Sequence, residues 1–305
     1  MSVPQAVQRA ELRAGGTDLS ERRRSGVSRG EIVDIARSDE LTRIAWSGDA
    51  ARIGALVTIA TVAADAAVQQ AYPGLAAAAG GLATPQIRAV GTVGGNLAQR
   101  NRCWYYRNPH LACLKKGGTD CPARAGNHLY GVIFDLGPCV APHPSTLGAA
   151  LLACEATVTT DRRGPVPVAE IFGDGTGGAS DNTLAERERI LHVDMPPPVA
   201  GERAAYRRAI SRTWAEWPLV EVVVRAVVEQ QRFTLVRVAA GGVAPVPLRL
   251  REVEQALAGA PADRAAIRAA AASAVANANP LPGAAYKTAM LRQLVTDLLE
   301  QVAHP

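Results

Sequence analysis

The chain has 305 residues, 48% hydrophobic, 20% charged and only 4% aromatic, with a mean hydropathy of +0.02. That balance fills a sizeable core and excludes a disordered chain, and the length favours about two domains. With 33 basic against 28 acidic residues, the net charge of +5 is too slight for a nucleic-acid-binding arm, and so few aromatics argue against sandwiches and propellers.

The opening MSVPQAVQRAELRAGG has no apolar h-region and no cleavage site, and nowhere does the chain approach the ~18 uninterrupted apolar residues of a membrane span. The expectation is a soluble chain without membrane insertion, cytoplasmic or carried to the periplasm by a signal-bearing partner. Residues 11–19 read as a short strand entering a double-glycine turn, with helix formers over 20–24. The run Arg22-Arg23-Arg24 reads as a solvated helix face. Two β-type runs, 31–35 and 51–56, flank a polar segment with a turn at 47–49, and residues 58–82 look helical with a break at Pro73-Gly74. Strand and helix alternating at this spacing suggest α/β or α+β packing.

Residues 84–99 hold a second glycine turn, after which 102–144 is loop-like and carries cysteines. Helix resumes over 145–155. The triple proline at 196–198 is the best linker signal and divides the chain into 1–199 and 200–305. Beyond it, the β-branched runs 220–228 and 233–239 read as a hairpin, followed by Gly241-Gly242 and three helical segments. In the last helix, Ala289, Met290, Leu294, Val295, Leu298, Leu299 and Val302 recur at helical spacing and read as core.

The residues that could carry chemistry fall in two sets. The turns Ala14-Gly15-Gly16-Thr17 and Thr92-Val93-Gly94-Gly95-Asn96 each offer backbone N–H groups that nothing bulky covers, and together they could clamp a pyrophosphate from both sides. Neither shows the Gly-x-Gly-x-x-Gly fingerprint or a P-loop, so a dinucleotide here needs another fold. All five cysteines lie between Cys103 and Cys154. Cys103, Cys113, Cys121 and Cys139 follow C-x9-C-x7-C-x17-C, a set that could close on zinc, on an iron–sulfur cluster, or remain free buried thiols. Lys115 and Lys116 would offset the charge of a thiolate-bound cluster. Cys154, in Leu-Leu-Ala-Cys-Glu-Ala, reads as a small core residue, and His143 as a pocket or merely hydrogen-bonded histidine. No Ser-His-Asp arrangement or paired-carboxylate site stands out, so no catalytic residue is assigned.

At these residues, AGGTDL (14–19), ATPQIRAVGTVGGNL (83–97), RCWYYRNP (102–109) and GGVAPVP (241–247), the chain resembles the FAD-binding subunits of the xanthine dehydrogenase family of molybdenum hydroxylases. Within that family the cysteine-bearing insertion looks like the branch of the 4-hydroxybenzoyl-CoA reductase and periplasmic aldehyde oxidoreductase flavin subunits, which carry an extra 4Fe-4S cluster. The resemblance implies an α+β fold: a two-lobed FAD domain of the vanillyl-alcohol-oxidase type, then a small sheet-plus-helices domain. Carried over by position, it puts Ala14, Gly15, Gly16, Thr17 and Asp18 on the first pyrophosphate loop and Thr92, Gly94, Gly95 and Asn96 on the second, with Cys103, Cys113, Cys121 and Cys139 as cluster ligands. It further implies an electron-transfer chain working beside a large molybdopterin subunit and a small 2Fe-2S subunit and delivering electrons to an external acceptor. Zinc-stapled assembly subunit and self-contained FAD oxidase are the rival readings. The chain departs from the family in supplying about one strand and one helix less before AGGT, and in carrying Pro142 and Ser145 where relatives have an acidic residue near the His-Pro pair.

Overall fold

The computed structural model describes residues 10–213 and 215–304, and among them the strands form three sheets. The first is a parallel pair, β1 (Glu11–Arg13) beside β2 (Ile32–Asp34), joined through the helix Leu19–Arg24. Such a crossover leaves the first glycine turn at the carboxyl end of β1, where open parallel sheets receive ligands. The shortened start expected ahead of that turn falls on residues 1–9, outside the described residues. The basic run is not uniformly solvated: Arg22 is only 11% exposed, bonded to Asp18 at 3.0 Å and paired with Glu11, while Arg24 stays exposed. Two carboxylates on its own side of the helix make that burial tolerable.

The second sheet contains β3 (Ile44–Ser47), β4 (Ala50–Gly54), β5 (Thr157–Thr160), β6 (Val166–Pro167) and β7 (Ile190–Met195), ordered β3-β4-β7-β5-β6 and antiparallel throughout. The segment read as merely polar folds into the helix Asp39–Thr42 and the edge strand β3. With only Ile44 of β3 turned partly inward, no alternation was there to read. Residues 58–82 are helical as expected, but in three pieces, Ile59–Ala64, Ala66–Ala71 and Pro73–Gly81. Asp65 caps the second by accepting from Val68 N at 2.9 Å, and Pro73 opens the third at its first position, where its missing N–H costs nothing.

The third sheet is β8 (Arg203–Ala209), β9 (Val220–Glu229), β10 (Arg232–Gly241) and β11 (Leu248–Arg249), ordered β11-β10-β9-β8, and the expected hairpin is the β9–β10 pair. This sheet is a middle layer. Val220, Val222, Val224 and Ala226 of β9 join the core made with the helices Arg251–Leu257, Arg264–Ser273 and Tyr286–Ala303, whereas Val223 joins the core of the first two thirds of the chain. In the last helix Leu294, Val295, Leu298, Leu299 and Val302 are buried as expected, but Ala289 is exposed and Met290 half-buried. Lys287 and Leu291 take their place, because the inward stripe runs 287, 291, 294, 295, 298 at helical spacing. No helix among the described residues is long and apolar enough to cross a membrane.

Period two also decides where polar groups on β9 go: Glu221 and Arg225 share the face of Val223 and meet the N-terminal layer. Arg225 pairs with Glu202 at 2.7 Å and donates to the Ala153 carbonyl at 2.7 Å. Glu221 accepts from the Tyr206 hydroxyl at 2.9 Å, and burial outweighs that bond and the nearby Arg208 and Thr146, pushing its carboxyl up to about 7. A carboxyl raised above its unfolded value adds stability below the unfolded pKa that is lost as pH climbs through the folded one. Between about pH 4.5 and 7.5, unfolding free energy should therefore fall about 3 kcal/mol more steeply in the native chain than in Glu221→Gln. Urea unfolding at a series of pH values measures the two slopes, and parallel slopes would contradict the assignment.

Candidate functional site

The first glycine turn is shaped by what it cannot carry. Gly16 has φ +71°, and a Cβ at Gly15 would lie 1.8 Å from the Val90 carbonyl oxygen, so only glycine lets this turn rest on the end of the helix Pro85–Val90. Among the described residues, the N–H groups of Gly15, Gly16, Thr17 and Asp18 have no protein acceptor. Successive free N–H groups in a turn form a concavity that suits an anion.

The second turn differs from expectation. Thr92 caps the short helix Val93–Leu97 by accepting from Gly95 N at 3.1 Å, and Gly94 N donates to the Ala55 carbonyl at 2.9 Å, so these N–H groups are already used. Its glycines act by being small: a Cβ on Gly94 would meet Ala55 Cβ at 2.9 Å, while Gly95 stays exposed. Ala14, Gly15, Gly16, Thr17, Asp18, Thr92, Gly94 and Gly95 line one narrow groove of about 110 Å³, closed by Leu184 and by Glu188, Arg189 and Ile190 at the start of β7. Asn96 is not in its wall. Its Oδ1 accepts from Ser145 Oγ at 2.7 Å and Leu147 N at 3.2 Å, stapling the second turn to the helix Thr146–Ala153, which Ser145 caps through Gly148 N at 2.9 Å.

The Asp18 carboxylate is held by Arg22, by Arg102 at 3.0 Å and by Arg107 at 2.8 Å. Burial alone would raise its pKa, and the three guanidiniums outweigh that and keep it ionised. Arg102 and Arg107 also reach Glu21. These pairs tie the first turn to the cysteine segment.

Residues 102–144 are mostly irregular, with single turns at Trp104–Arg107 and Leu114–Lys116. Lys115 is anchored on buried Asp181 at 2.8 Å, and Lys116 on the Tyr105 carbonyl at 2.8 Å. Nearby backbone N–H groups favour the thiolate at each sulfur: those of Tyr105 and Tyr106 at Cys103, Lys115 and Lys116 at Cys113, Val140, Ala123 and Arg124 at Cys121, and Ala141 at Cys139. Cys121 and Cys139 interact with each other, which holds the first thiol below its usual value and pushes the second up. Cys103 and Cys113 lie within electrostatic reach of Cys121, and Lys116 of both. Cys154 belongs to the N-terminal core as expected, and burial pushes its thiol up to about 11. Among the described residues no three His, Cys, Asp or Glu side chains are arranged to hold a metal ion.

A cavity of about 500 Å³ opens beside the groove, walled by Arg102, Cys103, Trp104, Tyr130, His143, Trp217 and Lys287 among others. Gln99 joins the two spaces: it lines the groove, donates to the Pro144 carbonyl at 3.2 Å and accepts from Arg102 at 3.1 Å, and both partners line the cavity. His143 is buried, accepts from Ser145 N at 3.2 Å, and is pushed by burial down to about 4, hence neutral. Sequence reading missed Trp217 and Lys287. The one signal for Lys287 was a lysine at an inward position of an otherwise apolar helical stripe.

Two family profiles cover the chain in succession: the FAD binding domain in molybdopterin dehydrogenase matches residues 1–198, and the CO dehydrogenase flavoprotein C-terminal domain matches 204–302. The aldehyde oxidoreductase FAD-binding subunit PaoB of Escherichia coli K12 is 30% identical over 258 residues, 82% of this chain and 80% of that protein. The carbon monoxide dehydrogenase medium chain of Hydrogenophaga pseudoflava is 28% identical over 291 residues, 94% of this chain and 86% of its own. A solved structure of carbon monoxide dehydrogenase from that organism, lacking the Mo-pyranopterin moiety, matches with a TM-score of 0.75 at 26% identity, over 98% of this chain and 91% of that one. Quinoline 2-oxidoreductase of Pseudomonas putida 86, at 17% identity and a TM-score of 0.74 over 96% of this chain and 89% of its own, shares the fold. The expected α+β architecture, an FAD-binding domain followed by a small sheet-plus-helices domain, is the one found.

Asn96 tests how the second turn is held. Asn96→Ala strands the Leu147 N–H and the Ser145 hydroxyl in a buried place, a loss of about 1–3 kcal/mol of unfolding free energy. Chemical denaturation should register it, and a change below about 0.5 kcal/mol, ordinary for a surface site, would mean that the staple holds nothing.

Proposed function

This chain belongs to the FAD-binding medium subunits of the xanthine dehydrogenase and CO dehydrogenase family of molybdenum hydroxylases, and is thus an oxidoreductase component. On that premise we propose that it holds FAD with the pyrophosphate in the groove and the ring toward the adjoining cavity, as the flavin relay of its complex. The observation that carries this reading is the free run of N–H groups at residues 15–18 facing a groove that meets an aromatic-walled cavity at Gln99. When bound, FAD supplies a centre able to exchange electrons singly or in pairs.

The residues of the chain then have distinct tasks. Gly15, Gly16, Thr17 and Asp18 present N–H groups to phosphate oxygens. Thr92, Gly94 and Gly95 form the opposite wall and leave room for them, while Asn96 and the Asp18 carboxylate keep the two walls in register. Trp104, Tyr130 and Trp217, each exposed, supply flat apolar surface to an aromatic ring.

We propose further that Cys103, Cys113, Cys121 and Cys139 bind a 4Fe-4S cluster. What supports this reading is that nearby backbone N–H groups favour the thiolate form at each of the four sulfurs, as they do around a thiolate-ligated cluster, although among the described residues no three of these side chains form a single-ion site. In this reading electrons start at a molybdopterin site on a large partner, where an aldehyde or N-heterocyclic or other aromatic substrate is oxidised. They pass through 2Fe-2S clusters of a small partner and leave this chain for an external acceptor.

Two experiments test these parts separately. Gly95→Val, whose Cβ would press on the Thr92 cap hydroxyl at 2.9 Å, should fold, as checked by denaturation, while losing FAD by absorbance and stoichiometry; retained flavin in the folded variant would contradict the groove assignment. Serine at any of Cys103, Cys113, Cys121 or Cys139 should remove about four irons per chain from anaerobically purified protein, and Cys154→Ser should not. Colourless protein with zinc would favour the stapled assembly subunit, and aldehyde oxidation by the isolated, molybdenum-free chain would favour a self-contained oxidase.

A further inference from the structure

Lys287 stands on the inward stripe of the helix Tyr286–Ala303 and is 1% exposed, among the largest fully buried side chains of the protein. Its ammonium donates to the Gly131 carbonyl at 2.8 Å and to the Gly242 carbonyl, and lysine and both glycines line the 500 Å³ cavity. Among the described residues no carboxylate pairs with it, and burial alone lowers its pKa, to about 7. Of the other charged groups in the cavity wall, Arg212 is exposed at its rim, and two are held by neighbours. Arg102 lies 4.3 Å over the Trp217 ring and pairs with Asp18 and Glu21, and the Glu216 carboxylate accepts from Arg212 N at 2.8 Å.

A buried ammonium without a counter-ion is costly, and two carbonyls occupy only two of its three N–H donors. It is compensated most fully by an electron-rich acceptor arriving in the cavity. We propose that Lys287 is the flavin-tuning residue of this chain, its ammonium meeting the N1–C2=O edge of the bound ring and favouring the flavin when that edge gains negative charge. The inference rests on the reading that the cavity receives the ring. Electron density added to an isoalloxazine accumulates on its pyrimidine edge, and a fixed positive charge there in a water-excluded site raises the tendency to accept electrons. The two carbonyl bonds hold the ammonium still, so little reorganisation accompanies the gain.

The test uses the FAD-loaded full chain and reads the flavin itself. Sulfite adds through its sulfur lone pair to N5 of oxidised flavin, forming an S–N bond and sending negative charge to the N1–C2=O edge, so its dissociation constant reports the same stabilisation as the midpoint potential. Lys287→Gln should weaken sulfite binding at least tenfold and lower the two-electron potential by about 30 mV or more, the same tenfold converted. Lys287→Arg should stay near the native values. A folded, FAD-replete Lys287→Gln unchanged in both would overturn the proposal and leave Lys287 as a tie between Gly131 and Gly242. Should that variant not fold, the native protein decides with 15N-labelled FAD: N1 of the reduced flavin ionised at neutral pH supports the proposal, and a protonated N1 overturns it. The two readings fail apart. Flavin that ignores Gly95→Val defeats the groove assignment, whereas flavin that depends on Gly95 but not on Lys287 defeats only the tuning role.

Discussion

The contact on which the site depends is the approach of the turn at Gly15 to the carbonyl of Val90, so close that a single methyl carbon would sit 1.8 Å from the oxygen. Because the backbones touch there, the first turn cannot drift, and its next few N–H groups are left facing open space rather than the protein. Everything around it reinforces that placement. Asp18 gathers Arg22, Arg102 and Arg107 behind the turn, and Asn96 pins the opposite wall to Ser145 and Leu147. A binding wall made of small residues is rigid only if its neighbours are, and here the rigidity comes from charge pairs and a capped helix outside the groove.

The same charge pairs connect the groove to the irregular segment 102–144. A loop of that length without regular structure is entropically expensive, and this one is held by side chains rather than by a ladder. Lys115 reaches Asp181, Lys116 reaches Tyr105, Arg124 pairs with Asp135 at 2.6 Å, and Ile133 N bonds the Val243 carbonyl at 2.8 Å on the C-terminal side. The loop thereby spans both halves of the chain, and the cavity is the space left between them. The middle sheet does the corresponding work in the core, where alternate residues of β9 serve two hydrophobic clusters and Arg225 meets the N-terminal layer by donating to the Ala153 carbonyl.

Much of this was legible in the amino-acid order. The hairpin over 220–239 announced itself through β-branched residues, the helices after Gly242 through apolar spacing, and Cys154 through its apolar company. Less visible were β3, an edge strand with one inward residue, and the division of 58–82 into three helices, which depends on Asp65 and Pro73 acting as starts rather than breaks. Misreadings had a common cause. Arg22 and Ala289 were judged from their own neighbourhood in the chain and Lys287 was passed over, while their burial is decided by Glu11 and Asp18, by the helix face turned inward, and by the carbonyls of Gly131 and Gly242.

By itself the sequence determined many of the elements, the glycine turns, the clustered thiols and the family they resemble, because these follow from local backbone preference, periodicity and spacing. Only the tertiary structure decided which N–H groups remain free. It gave the two glycine turns unlike roles, donors at residues 15–18 and a close-packed wall at 94 and 95, since Ala55 and Thr92 had already taken the second set. It also decided that Lys287, 156 residues beyond Gly131 of the cysteine loop, ends at the wall of the cavity that the loop lines. Hydrogen-bond saturation and the burial of charge are properties of what surrounds a residue in space, and that surrounding comes from segments far away along the chain.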